Sequence, residues 1–151
     1  MSDAPILICF DGSEGTRHAV AAAAEVLGPR RAVVLAVGPI VTVAESVALT
    51  ASFVPGSAFE DLNRADALQR AREGAAHAIE SGFDATARAE IASETWAGIV
   101  DVAFELDSPV IVIGARALSG FQRLRDESVS ASVLRHAGRP VLVVPSPPDR
   151  R

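Results

Sequence analysis

Four stretches of this chain are apolar without alternation: residues 6–10 (Ile-Leu-Ile-Cys-Phe), 32–37 (Ala-Val-Val-Leu-Ala-Val), 109–113 (Pro-Val-Ile-Val-Ile) and 141–144 (Val-Leu-Val-Val). A strand with one wet face alternates apolar and polar positions, whereas a strand covered on both faces reads as a continuous run. These four are therefore expected to be strands of a sheet with helices on both sides. A fifth, residues 85–91, alternates small and polar positions and belongs nearer an edge.

Helical periodicity fills the gaps between them. Residues 14–27 carry Ala19, Val20, Ala23, Ala24 and Leu27 on one stripe, begin after the cap-forming Ser13 and stop at Gly28-Pro29. Residues 61–81 read as a long amphipathic helix with Leu62, Ala65, Leu68, Ala75, Ala76 and Ile79 toward the core. Residues 94–106 place Ile99, Val100, Ala103 and Leu106 inward, and a short last helix spans residues 128–137 before Gly138. Residues 39–59 have no clear period; Pro55-Gly56-Ser57 reads as a turn, and a stretch of this length often forms a lid or binding loop.

Strand and helix alternate throughout. The pattern predicts a single α/β domain over residues 1–151: a doubly wound, five-stranded parallel sheet joined by right-handed crossovers. The two most apolar strands, first and fourth, should be central neighbours, giving the order 3-2-1-4-5. Winding reverses between them, and ligands of open α/β sheets bind in that crevice, beyond the carboxyl ends of the strands. The turn at Asp11 and the turn at Gly114 both fall there.

Composition narrows the chemistry. The chain has 151 residues, 49% hydrophobic content and a mean hydropathy of +0.28, enough for a real core. The formal net charge of -5 disfavours nucleic acid or an anionic membrane as partner. All 14 basic residues are arginine, so mechanisms needing a side-chain amine, such as a phosphate-loop lysine or a Schiff base, are excluded. That also rules out a response-regulator receiver, which needs a lysine and an acidic cluster. The lone Cys9 lies within the first apolar run and reads as a buried thiol, compatible with a reducing compartment. With no charged-then-apolar leader and no bilayer-length run, a cytoplasmic location is expected. His18, His77 and His136 lack partners at metal-ligand spacing, so no metal site is expected. Asp11, Ser13 and His18 lie close together but lack an oxyanion hole or nucleophile elbow, so no catalytic triad is read here. Trp96 reads as a packing or interface residue.

From Ile6-Leu7-Ile8-Cys9-Phe10-Asp11-Gly12-Ser13 to Arg139-Pro140-Val141-Leu142-Val143-Val144-Pro145 the layout resembles the universal stress protein family. The most specific stretch is residues 114–144, with Gly-Phe-x-x-Leu, the Ser-Val-Ser helix start and His-Ala-x-x-Pro-Val-Leu-Val-Val. The resemblance implies a Rossmann-like sheet of the adenine nucleotide alpha-hydrolase type and a stress-response or signalling module without catalytic machinery. It also implies a homodimer paired through residues 140–144, while the protein partner stays unknown. In nucleotide-binding members the loop after the fourth strand reads Gly, two residues, Gly, nine residues, Gly, then Ser or Thr. Here Gly114 holds the first position and Ser128 the hydroxyl position, but Ala117 and Glu127 replace the other two glycines. By the same resemblance Asp11 would meet ribose or adenine, and Val37 would meet adenine with its backbone. Ile113 and Gly114 would flank the sugar, and Ser128 and Val129 would face phosphate oxygens.

The two substitutions bear on ligand choice. Ala117 adds a methyl group where phosphate approaches the backbone. Glu127 adds a carboxylate at the helix start, and two unit charges about 4 Å apart repel by about 4 kcal/mol at an effective dielectric near 20. Adenine nucleotides are therefore expected to bind weakly, with AMP or ADP preferred over ATP, or not at all. The alternative is an ATP-binding, slowly hydrolysing member in which Arg116 and backbone amides compensate.

Overall fold

A computed structural model describes residues 3–40, 56–115 and 128–148. The described elements run β1 (Ile6–Cys9), α1 (Glu14–Leu27), β2 (Arg31–Pro39), α2 (Gly56–Glu80), β3 (Asp84–Ala92), α3 (Thr95–Glu105), β4 (Ile111–Gly114), α4 (Val129–His136) and β5 (Val141–Val144). The strands form one sheet in the order β3-β2-β1-β4-β5. Every pairing is parallel. The expected topology is the observed one, and β3 takes the edge that its alternation suggested.

Side-chain alternation in β1 divides the core into two layers. Ile6, Ile8 and Phe10 point to one face, where they meet Val20 and Ala23 of α1 and Ala75 and Ala78 of α2. Leu7 and Cys9 point to the other, where Ile99, Val102 and Ala103 of α3 and Val133 of α4 cover them. Both layers close on β1 itself, where Ile6, Leu7 and Ile8 are fully buried. This is why the run reads as continuous.

The long helix corrects the sequence reading twice. It begins at Gly56, so Gly56 and Ser57 are helical where a turn was expected. Residues that make turns also start helices, and sequence does not separate the two uses. Its inward face also differs. Ala67, Ala71, Gly74, Ala75 and Ala78 are buried, whereas Leu62 and Ile79 are 63% and 56% exposed. Ala65 and Ala76 are exposed too, and Leu68 is half-buried. Of the expected stripe only Ala75 is inward.

The physical reason is a close approach. A methyl group on Gly74 would lie 2.6 Å from Cγ of Phe10 and 2.8 Å from Cγ1 of Val34. The helix sits so near the sheet that small residues fit beneath it and leucine does not. Gly38 of β2 serves the same approach, since a methyl there would lie 3.1 Å from the Asn63 carbonyl oxygen.

Candidate functional site

The crevice is built where β1 and β4 end side by side, in the register Leu7 with Ile111 and Ile8 with Val112. After β1 the ladder makes one more bond, from the Phe10 N–H to the Leu35 carbonyl at 2.9 Å. The chain then turns sharply. Gly12 has φ +85°, a conformation that costs glycine little. Asp11 is exposed, and its Oδ1 accepts the Ser13 N–H at 2.8 Å and lies 3.1 Å from Thr16 Oγ1. Ser13 caps α1, its Oγ accepting the Thr16 N–H at 3.3 Å. The Asp11 carboxylate is thus held by its own turn, as aspartates at such turns are, at the mouth of the crevice.

The opposite wall is Gly114, the last residue of β4. A methyl there would lie 3.3 Å from the Gly15 carbonyl oxygen and 3.6 Å from Cβ of Ala19. The absent side chain lets the β4 exit touch the first turn of α1. The turns at Asp11 and Gly114, brought together by topology in the sequence reading, are in contact through Gly15.

The other expected residues fall into place around them. Ile113 is 5% exposed and packs in the layer beneath α3 and α4, so only its backbone reaches the crevice side. Val37 lies two residues short of the end of β2, which continues to Pro39. The pairing of β1 with β2 stops at Cys9 with Leu35. In a parallel ladder, alternate residues turn both backbone groups toward the same neighbour. Because the Leu35 carbonyl faces β1, Val37 turns its N–H and carbonyl to that same side, past the point where β1 has ended. Its side chain instead faces α3, where a methyl on Gly98 would lie 3.3 Å from Val37 Cγ1. Ser128 caps α4, with Oγ accepting the Ala131 N–H at 3.2 Å, and Val129 beside it is exposed. Arg116, Ala117 and Glu127 lie outside the described residues, as does most of the 39–59 stretch.

Two side chains at this site were not singled out by sequence. Ser146, beyond β5, donates its hydroxyl to the Ala115 carbonyl at 3.0 Å. Arg70 of α2 lies against the Asp11 turn, its Cδ 3.7 Å from where a methyl on Gly12 would be, and pairs with Asp66. Neither carries a local signal: a serine among prolines and an arginine in an i, i+4 ion pair are ordinary until the fold brings them to the turn.

The remaining reactive groups are engaged elsewhere. Burial pushes the Cys9 thiol up to about 12, which keeps it protonated and a poor nucleophile. His77 Nε2 contacts the Arg17 carbonyl at 3.1 Å, joining α2 to α1. His136 Nδ1 contacts the Ser132 carbonyl at 2.9 Å, and its ring stacks on Trp96 with centroids 4.3 Å apart. Trp96 packs against the α3–α4 layer, as expected of it. Among the described residues no cluster of three His, Cys, Asp or Glu could hold a metal ion. No described helix is long and apolar enough to cross a membrane.

Residues 4–145 match the family model of the universal stress protein family. Among solved structures the chain is similar to MJ0577, a hypothetical protein whose structure served a structure-based assignment of biochemical function. The TM-score is 0.72 at 17% identity, covering 97% of this chain and 99% of that one. It is similar to the universal stress protein from Archaeoglobus fulgidus in complex with dAMP, with TM-score 0.60 and 19% identity over 93% and 97% of the two chains. It is also similar to a universal stress protein family protein from Arabidopsis thaliana with AMP bound, with TM-score 0.63 and 14% identity over 97% and 94%. At such identities the likeness shows the fold. No curated protein matches the chain.

Proposed function

The chain belongs to the universal stress protein family, and from that premise we propose that it is a cytoplasmic, non-catalytic stress-response module. Its crevice takes adenine nucleoside monophosphate in preference to ATP, and it works as a homodimer through β5. The observation that carries the ligand reading is the approach of Gly114 to Gly15, in the first turn of α1 that follows Asp11, at the point where the sheet reverses its winding, the place where open α/β sheets hold ligands. Structural relatives crystallised with AMP and dAMP support the same class of ligand.

The residues fit a nucleoside. Asp11 offers a carboxylate, fixed by Ser13, to ribose hydroxyls or an adenine amine. Val37 offers backbone groups to the base, and Ser128 and Val129 stand at the start of α4 for one phosphate. Beyond that phosphate the sequence turns unfavourable, because Glu127 brings a negative charge directly before Ser128, where the family pattern has a glycine. No general base, metal ligand set or ionised thiol is part of this reading, so the module binds rather than turns over.

Isothermal calorimetry with AMP, ADP and ATP tests it. AMP is expected to bind at least tenfold more tightly than ATP. Glu127→Gly is expected to raise ATP affinity about tenfold or more, the equivalent of about 1.4 kcal/mol of relieved repulsion. ATP binding as tightly as AMP to the unaltered protein, or no binding by either, overturns the proposal.

A further inference from the structure

We infer that Ser146 is a positioning residue for the crevice: its hydroxyl pins Ala115, the residue from which the connection between β4 and α4 departs. The inference rests on the nucleotide reading above, because it concerns what holds one wall of that site in place.

Ala115 is fixed at both of its backbone groups by the strand next door. Its N–H donates to the Val144 carbonyl at 2.8 Å, and its carbonyl accepts from Ser146 Oγ at 3.0 Å. The first bond continues the sheet ladder beyond the Gly114–Val144 pair, so any sequence able to form β5 supplies it. The second needs a hydroxyl at position 146. That hydroxyl also lies 3.8 Å from where a methyl on Gly15 would be, so Ser146 sits where the exits of β4 and β5 meet the first turn of α1. Its neighbours Pro145, Pro147 and Pro148 are exposed while Ser146 is half-buried.

The flanking prolines make the pin stiff. Pro145 has a fixed φ, and Pro147 confines the residue before it to extended conformations. Ser146 therefore loses little chain entropy in presenting its hydroxyl, and the bond to Ala115 is correspondingly effective.

The test compares wild-type protein, Ser146→Ala and Ser146→Thr, using calorimetry with AMP and hydrogen exchange at the Ala115 amide without nucleotide. Because the bond exists without nucleotide, Ser146→Ala weakens AMP binding by releasing the wall from its binding position. A loss of several-fold is expected, with the worth of one hydrogen bond, about tenfold, as the ceiling, together with faster exchange at Ala115. Ser146→Thr keeps the hydroxyl and is expected to stay within about twofold of wild type in affinity. Equal AMP affinity in wild type and Ser146→Ala overturns the inference and leaves the nucleotide reading standing. Equal loss in both variants also overturns it, since the hydroxyl would then not be the cause. Wild-type protein that takes no AMP overturns the nucleotide reading. The Ala115 amide then decides alone: faster exchange in Ser146→Ala supports the pin, and unchanged exchange removes it.

Discussion

At one edge of the sheet β3 runs nine residues, from Asp84 to Ala92, with Thr86, Arg88 and Glu90 at alternate positions on the face toward α3. Arg88 bridges Glu105 of α3 at 2.8 Å and Glu90 at 3.3 Å. At the other edge β5 is four residues long, Val-Leu-Val-Val, backed by the eight-residue helix α4. Charge along an edge strand discourages pairing with another chain, and an apolar edge invites it. The β2–β3–α2 side is closely packed and guarded. The β4–β5–α4 side is short and unguarded, and its strand exit at Gly114 forms one wall of the crevice. The difference suits the first side to a scaffold, and the proposed ligand and partner contacts fall on the second.

The close packing of the scaffold side is the sharpest element of this contrast to break. Gly74→Ala would drive a methyl into Phe10 and Val34, which are 3% and 0% exposed and have nowhere to go. Overpacking of this kind costs about 1–3 kcal/mol or more, against which alanine gains up to about 1 kcal/mol of helix propensity. A net loss of about 2 kcal/mol is expected, lowering the melting temperature by about 5 °C. On the crevice side Gly15→Ala meets only ordinary contacts, at 3.8 Å from the hydroxyls of Ser13 and Ser146, and should be neutral or stabilising. Thermal unfolding of both variants checks this. If Gly74→Ala is neutral, α2 does not approach the sheet as described.

The edges differ next in what a proline does to them. The carbonyls of Pro140 and Val144 accept bonds from β4, so Leu142 also faces β4 and Val143 turns its N–H outward. Val143→Pro removes that outward donor and spares the β4 ladder. If β5 joins two copies, the variant is expected to weaken the dimer at least tenfold in sedimentation equilibrium. On β3 the Asp84 N–H faces β2, so Ala87 turns outward. Ala87→Pro should leave the oligomeric state unchanged. A dimer indifferent to Val143→Pro, or lost with Ala87→Pro, would reverse the assignment of the two edges.

How much of this was legible in the sequence depended on whether the deciding contact was local. The run Ile6–Cys9 announced a strand buried on both faces because every residue in it is apolar, and the strand order followed from ranking such runs. The Asp11 turn was legible because an aspartate two residues before a capping serine folds onto itself. The inward face of α2 was not. Large apolar side chains, Leu62 and Ile79, compete along that helix with a stripe of Ala67, Ala71, Gly74 and Ala78, and side-chain size favours the former. The sheet chose the second because Phe10 and Val34 rise beneath it, a contact between residues 64 positions and 40 positions apart that no local window contains. Ser146 was missed for the same reason: its partner Ala115 lies 31 positions away, across the register of β4 with β5.

The smallest expected effect concerns the charge that guards β3. The Arg88 guanidinium, chiefly through its hydrogen bond, holds the Glu105 carboxyl below the usual carboxylate range. A carboxylate more acidic in the folded protein than in the unfolded chain adds stability above its unfolded pKa. That contribution fades as pH falls through the folded value. Both groups are near the surface, and Arg88 keeps Glu90 as a second partner, so Glu105→Gln is expected to lower the melting temperature at pH 7 by less than about 2 °C. The difference should shrink in 0.5 M salt and fade as pH falls through the depressed Glu105 value. A gap between wild type and variant that persists in acid and in salt would mean that the side chain guards this edge by packing. The contrast between the edges would then be one of shape, with charge playing no part in keeping β3 unpaired.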